Sequence, residues 1–176
     1  MIDPKTERSM RTMLGHAIRH ELAELATMIE SEGNEILADS IPLCLLASAY
    51  IAIDASGMRW PGDAVLRKIA SNASTSATNL DITKQEIYEY LSRVALGTEQ
   101  LDDVFAVEGV ATVPLFATAN LLLTFCPREK DWWQYLDQIW DSVETAERMS
   151  LSVLPALMLR ARKEHPNSLY LVYILG

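Results

Sequence analysis

The feature that most constrains this chain is a pair of almost uninterrupted apolar stretches. "SIPLCLLASAY" (Ser40 to Tyr50) returns 72 residues later as "TVPLFATANLL" (Thr112 to Leu122). The 13 residues from Ile41 to Ile53 rise about 20 Å as a helix, short of a hydrocarbon core of about 30 Å. Val113 to Phe125 is equally short and carries Asn120. Both stretches are therefore expected as helices buried in a protein core, with no membrane span. Ser40 and Thr112 stand two residues ahead of Pro42 and Pro114, where a hydroxyl caps a helix start and a proline fits the first turn. The prolines are thus expected to mark helix entrances.

Two buried helices need amphipathic helices around them. From Glu7 to Glu30 the apolar residues Met10, Leu14, Ala17, Ile18, Leu22, Leu25 and Ile29 recur at three- and four-residue steps, the period of one amphipathic helix. After the first apolar stretch, Val65, Leu66, Ile69 and Ala73 share a side. After the second, Trp132, Leu136, Ile139, Trp140 and Val143 form a stripe, with Asp137, Asp141, Glu144 and Glu147 largely on the solvated side. Thr83 and Glu86 have capping-box spacing, and Ile82 and Ile87 are placed as a hydrophobic staple. "SNASTSATNLD" (Ser71 to Asp81) reads as a surface loop, and a short helix is expected around Leu101, Val104 and Phe105. The fold class is all-α: one domain over 1–176 with seven or eight helices, built of two pseudo-symmetric halves, 36–97 and 98–165. The apolar tail 168–176, "SLYLVYILG", is expected to be covered by the chain's own core, a partner or a second copy.

The net charge of -9 argues against nucleic acid, because phosphate binding needs a basic patch that releases counterions. The densest basic stretch, "LRARKEH" (Leu159 to His165), suits a helix C-terminus. No secretory signal follows the charges of "MIDPKTERSM", so the cytoplasm is the expected location. Cys44 and Cys126 lack CxxC spacing and are expected as buried free thiols.

Catalytic constellations are not evident. His16 and His20 are four apart, hence on one helix face, but "HAIRHE" lacks the HExxH order that places a base between two zinc ligands. There is no GxSxG elbow, P-loop or GxGxxG. The chain is accordingly expected not to be an enzyme. Large aromatics at loops and helix edges are a different signal, since they anchor interfaces. Trp60 ahead of Pro61 and Trp133 at the edge of its stripe, with Tyr170 and Tyr173 in the tail, are the candidate partner-interface residues.

The order of buried helix, acidic or glycine-containing loop and amphipathic helix, stated twice over Ile36 to Met149, resembles the tellurite-resistance TerB family and the related N-terminal domain of DjlA-type co-chaperones. The residues that carry it are "IDASGMRWPGD" in the first half and "FCPREKDWW" in the second. The resemblance implies a two-half helical globule whose acidic residues hold a divalent cation, Ca²⁺ or Mg²⁺, through oxygen ligands. Asp54 and Asp63 are the metal candidates it carries over. In this chain the Asp and Gly of the first half are separated by two residues, and the second half lacks an Asp-Gly pair, offering only Glu129 and Asp131. Three functional classes are compatible with these readings: a non-enzymatic module that binds another protein or itself, a TerB-like acidic metal-binding stress protein, and an acidic immunity- or antitoxin-type protein that neutralises a basic effector.

Overall fold

The computed structural model describes residues 3–32, 34–57, 59, 61–76, 82–96 and 112–148. Among them are seven α-helices: α1 (Pro4–Ile18), α2 (Leu22–Glu32), α3 (Asn34–Ala55), α4 (Asp63–Ser76), α5 (Lys84–Leu96), α6 (Thr112–Phe125) and α7 (Trp132–Arg148). No described residue forms a strand. The fold is all-α, as the periodicity requires. The short helix expected near Leu101, the basic stretch Leu159 to His165 and the tail 168–176 lie outside the described residues, as do Trp60, Tyr170 and Tyr173.

The start of α1 is set locally. Asp3 accepts from the Thr6 backbone N–H at 2.7 Å and the Thr6 hydroxyl at 2.8 Å, and Pro4 occupies the first turn, where its missing N–H costs nothing. Met10, Met13, Leu14 and Ala17 are then fully buried at helical spacing. The expected single helix from Glu7 to Glu30 is in fact two. α1 closes at Ile18 because His20 takes a left-handed φ of 60°. Its N–H bonds the Ala17 carbonyl, and the Glu21 N–H bonds the His16 carbonyl, the two-bond Schellman closure of a helix. The apolar spacing continues across this turn, which is why periodicity alone does not reveal it. α2 then packs on α1 through buried Leu25, with Met28 and Ile29 partly covered.

α3 corrects a second expectation. It begins at Asn34, so Pro42 lies inside it and Ser40 is buried rather than capping an entrance. Removing one helical N–H at Pro42 costs roughly 3 kcal/mol in isolation. The burial of Leu43, Cys44, Ala47, Ile51 and Ala52 along one stripe offsets it at about 25 cal/mol per Å² of apolar surface. The second proline behaves as expected: Pro114 is in the first turn of α6, which starts at Thr112.

α6 is the centre of the molecule, in contact with α1, α3, α4, α5 and α7. Leu115, Ala117, Thr118, Ala119, Asn120, Leu121 and Leu122 are all buried, so it is covered almost all round. A buried chain of hydroxyls fixes it against its neighbours. Tyr90 of α5 donates to Ser48 of α3 at 3.2 Å, and Ser48 lies 2.9 Å from Thr118 of α6. Thr118 gives its one proton to a carbonyl, Pro114 at 2.7 Å or Cys44 at 3.3 Å, so Ser48 is the donor to Thr118.

α4 extends to Ser76, absorbing residues expected in a loop. Val65, expected on its buried side, is 40% exposed, while Leu66, Ile69, Ala70 and Ala73 carry the packing. α5 starts on the capping box legible in the sequence: Glu86 accepts from the Thr83 N–H at 2.7 Å, and Thr83 Oγ1 accepts from the Glu86 N–H at 3.2 Å. Ile82 and Ile87 are both buried.

Candidate functional site

One flank of α7 gathers the features most suited to recognition. Asp131 precedes the helix, and its N–H donates to the Gln134 side chain at 3.0 Å, a half capping box. Its inner stripe is Tyr135, Leu136, Ile139, Trp140 and Val143, all buried, with Trp132 half-buried beside them. Tyr135 is absent from the expected stripe, although it falls one turn after Trp132. Along one edge of that stripe lie Trp133, Asp137 and Asp141, all exposed, and Glu144, partly exposed. Steps of three and four residues put these four on one face.

Trp133 is 45% exposed on a helix held from the neighbouring element. Arg11 of α1 donates to the Trp133 carbonyl at 3.4 Å and pairs with Asp137 at 2.6 Å and Glu7 at 2.6 Å. The Glu7 pair has the local i, i+4 spacing, but no local pattern marks the Asp137 pair, which forms only because the fold brings α1 and α7 together. The indole is thus presented by a fixed backbone.

The two metal candidates are separately engaged. Asp54, at the end of α3, accepts from the Tyr135 hydroxyl at 2.6 Å. Burial first, and this carboxylate second, push the Tyr135 phenol up, so it stays protonated and donates. The chain leaves α3 through Gly57 at φ +70°, with the Gly57 N–H on the Asp54 carbonyl at 3.0 Å. Asp63, in the first turn of α4, accepts from the Tyr88 hydroxyl and from Arg67 Nε at 2.9 Å. These bonds, Tyr88 first and Arg67 second, hold its carboxyl below the ordinary range. The Arg67 guanidinium also lies 4.0 Å over the Tyr88 ring, tying α4 to α5. Calcium takes about six to eight oxygens. Among the described residues no group of three or more His, Cys, Asp or Glu is placed to hold a metal, so these two acids alone do not make a donor set that fits such an ion.

The remaining polar candidates also have local roles. His16 Nδ1 lies 2.8 Å from Glu21, whereas His20 stands in the left-handed turn, so the two histidines do not share a helix face as expected. Cys44 is buried, and burial pushes its thiol up to about 12. Cys126 corrects the expectation of two buried thiols: it is only partly covered, and its Sγ lies 3.3 Å from the Lys130 carbonyl. Burial first and Asp131 second push its thiol up, away from the thiolate that a nucleophile needs. No helix of the described residues is long and apolar enough to cross a membrane. No protein-family model, no curated protein and no solved structure matches this chain.

Proposed function

We propose that the chain is a non-enzymatic, cytoplasmic protein-interaction module that grips a basic segment of another protein with the exposed flank of α7. The observation that carries this reading is Trp133, 45% exposed at the head of a face continued by Asp137, Asp141 and Glu144. An exposed tryptophan on a fixed helix is the type of side chain that dominates interface energetics. Its ring attracts a lysine or arginine from above, and exposed Asp141, two turns on, matches a further cation. The protein's net charge of -9 favours the same partner through long-range steering. The acidic immunity- or antitoxin-type reading is a special case, in which the basic partner is an effector that binding neutralises.

Native mass spectrometry on protein taken from its own host tests the proposal. The expected spectrum carries the mass of a second, different polypeptide. Trp133→Ala should weaken that complex roughly 30-fold, the equivalent of about 2 kcal/mol at an interface anchor, while leaving the melting temperature unchanged. Affinity should also fall steeply with salt. A bare chain mass, or a complex indifferent to Trp133→Ala, would overturn the reading.

A further inference from the structure

A groove of about 570 Å³ lies between α1 and α2, which run back along one another from the turn at 19–21. It shares no residue with the α7 flank, and neither reading rests on the other.

Ser9 is the unsatisfied member of its lining. The residue is only 8% exposed, yet its hydroxyl has no hydrogen-bond partner among the described residues. The other hydroxyls of the groove each donate to a carbonyl of their own helix at 2.9 Å: Thr12 to Arg8, Thr27 to Ala23 and Ser31 to Met28. A donor that is nine-tenths buried and left over where its neighbours are paired is suited to an acceptor that enters the groove.

Arg8 lines the groove beside Ser9, exposed and without a salt bridge. A guanidinium and a hydroxyl together make a carboxylate site. The opposite end offers acceptors. Glu24 is exposed there and likewise forms no salt bridge. His16 keeps its Nδ1 at 2.8 Å from Glu21, which leaves Nε2 as the acceptor of the neutral ring. Arg8 and His16 are eight positions apart on α1, about 12 Å at about 1.5 Å per residue.

Two more exposed charges stand close by, outside the lining, and neither forms a salt bridge. Lys5, one turn before Ser9 on the same side of α1, reinforces the carboxylate end, although Asp3 feels its charge as well. Glu30, next to Ser31 on α2, opposes it. The fit therefore rests on the donors and acceptors inside the groove rather than on the net charge of either end.

We propose that this groove holds a short peptide by its two free ends, the carboxylate on Arg8 and Ser9 and the ammonium on Glu24 and His16. A span of about 12 Å matches about three extended residues at about 3.5 Å each. Between the ends the hydroxyls are already paired and Met28 adapts to whatever lies over it, so recognition falls on the termini. The exposed rim at Thr12 and Thr27 leaves the peptide's own amides open to water.

Titration calorimetry of the intact chain with trialanine at low salt and about pH 7.5, where a terminal amine is mainly charged and an imidazole mainly neutral, tests this. Trialanine should bind saturably. Amidating its carboxylate or acetylating its amine should each weaken binding roughly tenfold, and free alanine, too short to reach both ends, should bind at least as weakly as either. R8M should abolish the effect of amidation and keep that of acetylation, and E24Q should do the reverse. Both side chains are exposed, so this crossed pattern does not come from loss of fold. No saturable binding up to about 10 mM, blocked peptides binding as well as the free one, or an undiminished effect of amidation in R8M would overturn the proposal.

Discussion

His20 holds a φ of 60°, a backbone conformation that costs an L-residue about 1–2 kcal/mol and that glycine or asparagine usually takes. What maintains it is the turn around it. The Schellman bonds are made on either side, and Glu21 reaches back to His16 at 2.8 Å and to Arg19 at 2.9 Å. The Arg19 bond first and the His16 bond second hold the Glu21 carboxyl down to about 2, against an ordinary 4.5. A depressed carboxylate stabilises the fold at pH above its unfolded value and loses that contribution as pH falls through its folded value. The contribution of Glu21 is therefore complete above about pH 4.5 and disappears toward pH 2. Glu21→Gln should flatten the fall of melting temperature with pH across that window and leave its slope near neutrality unchanged. Parallel acid profiles for the two proteins would show that the turn is held by its backbone bonds alone. None of this is legible in "HAIRHE", because the apolar period runs through the turn and no glycine marks it.

At the scale of elements, the decisive contact is the hydroxyl chain that joins α5, α3 and α6. Thr118→Val keeps the shape of the side chain but leaves the Ser48 proton without its acceptor in a fully buried position. The expected loss is about 1–3 kcal/mol, read as a shift in urea midpoint at constant slope. Ser48→Ala added to it should cost less than the sum of the two single changes, since the pair is one network. Additive losses would mean that Ser48 and Thr118 are held independently. Capping is the opposite case: Thr83 and Glu86 lie three apart, so their reciprocal bonds follow from local sequence. Long-range partners such as Ser48 with Thr118, Arg11 with Asp137 and Asp54 with Tyr135 have no local signature. The candidate interface divides in the same way. The exposure of Trp133 follows from its place at the edge of a legible stripe, but the Arg11 clamp beneath it required α1 to meet α7.

Across the whole molecule, burial depends on which side of a helix its neighbours cover, even in central α6. Leu122 is fully buried in that helix, and its neighbour Leu123 is 38% exposed. Leu122→Ala should cost about 2–5 kcal/mol through the cavity it leaves, whereas Leu123→Ala should stay within about 0.5 kcal/mol of wild type. Equal losses in urea unfolding would mean that α6 is not the centre of the core. Charge and hydropathy pattern by themselves determined the all-α class, the start of α5 at its capping box, the stripe of α7 from Trp132, and the absence of a membrane-length helix among the described residues. These depend on period, capping and length, which neighbouring residues settle. The two similar apolar stretches mark where sequence stopped being sufficient. One became the latter part of a longer helix, with Pro42 inside it and burial along one stripe. The other became the central helix, starting at its proline and covered almost all round. Near-identical local patterns permit both outcomes, because burial belongs to the elements that pack around a helix rather than to the helix itself.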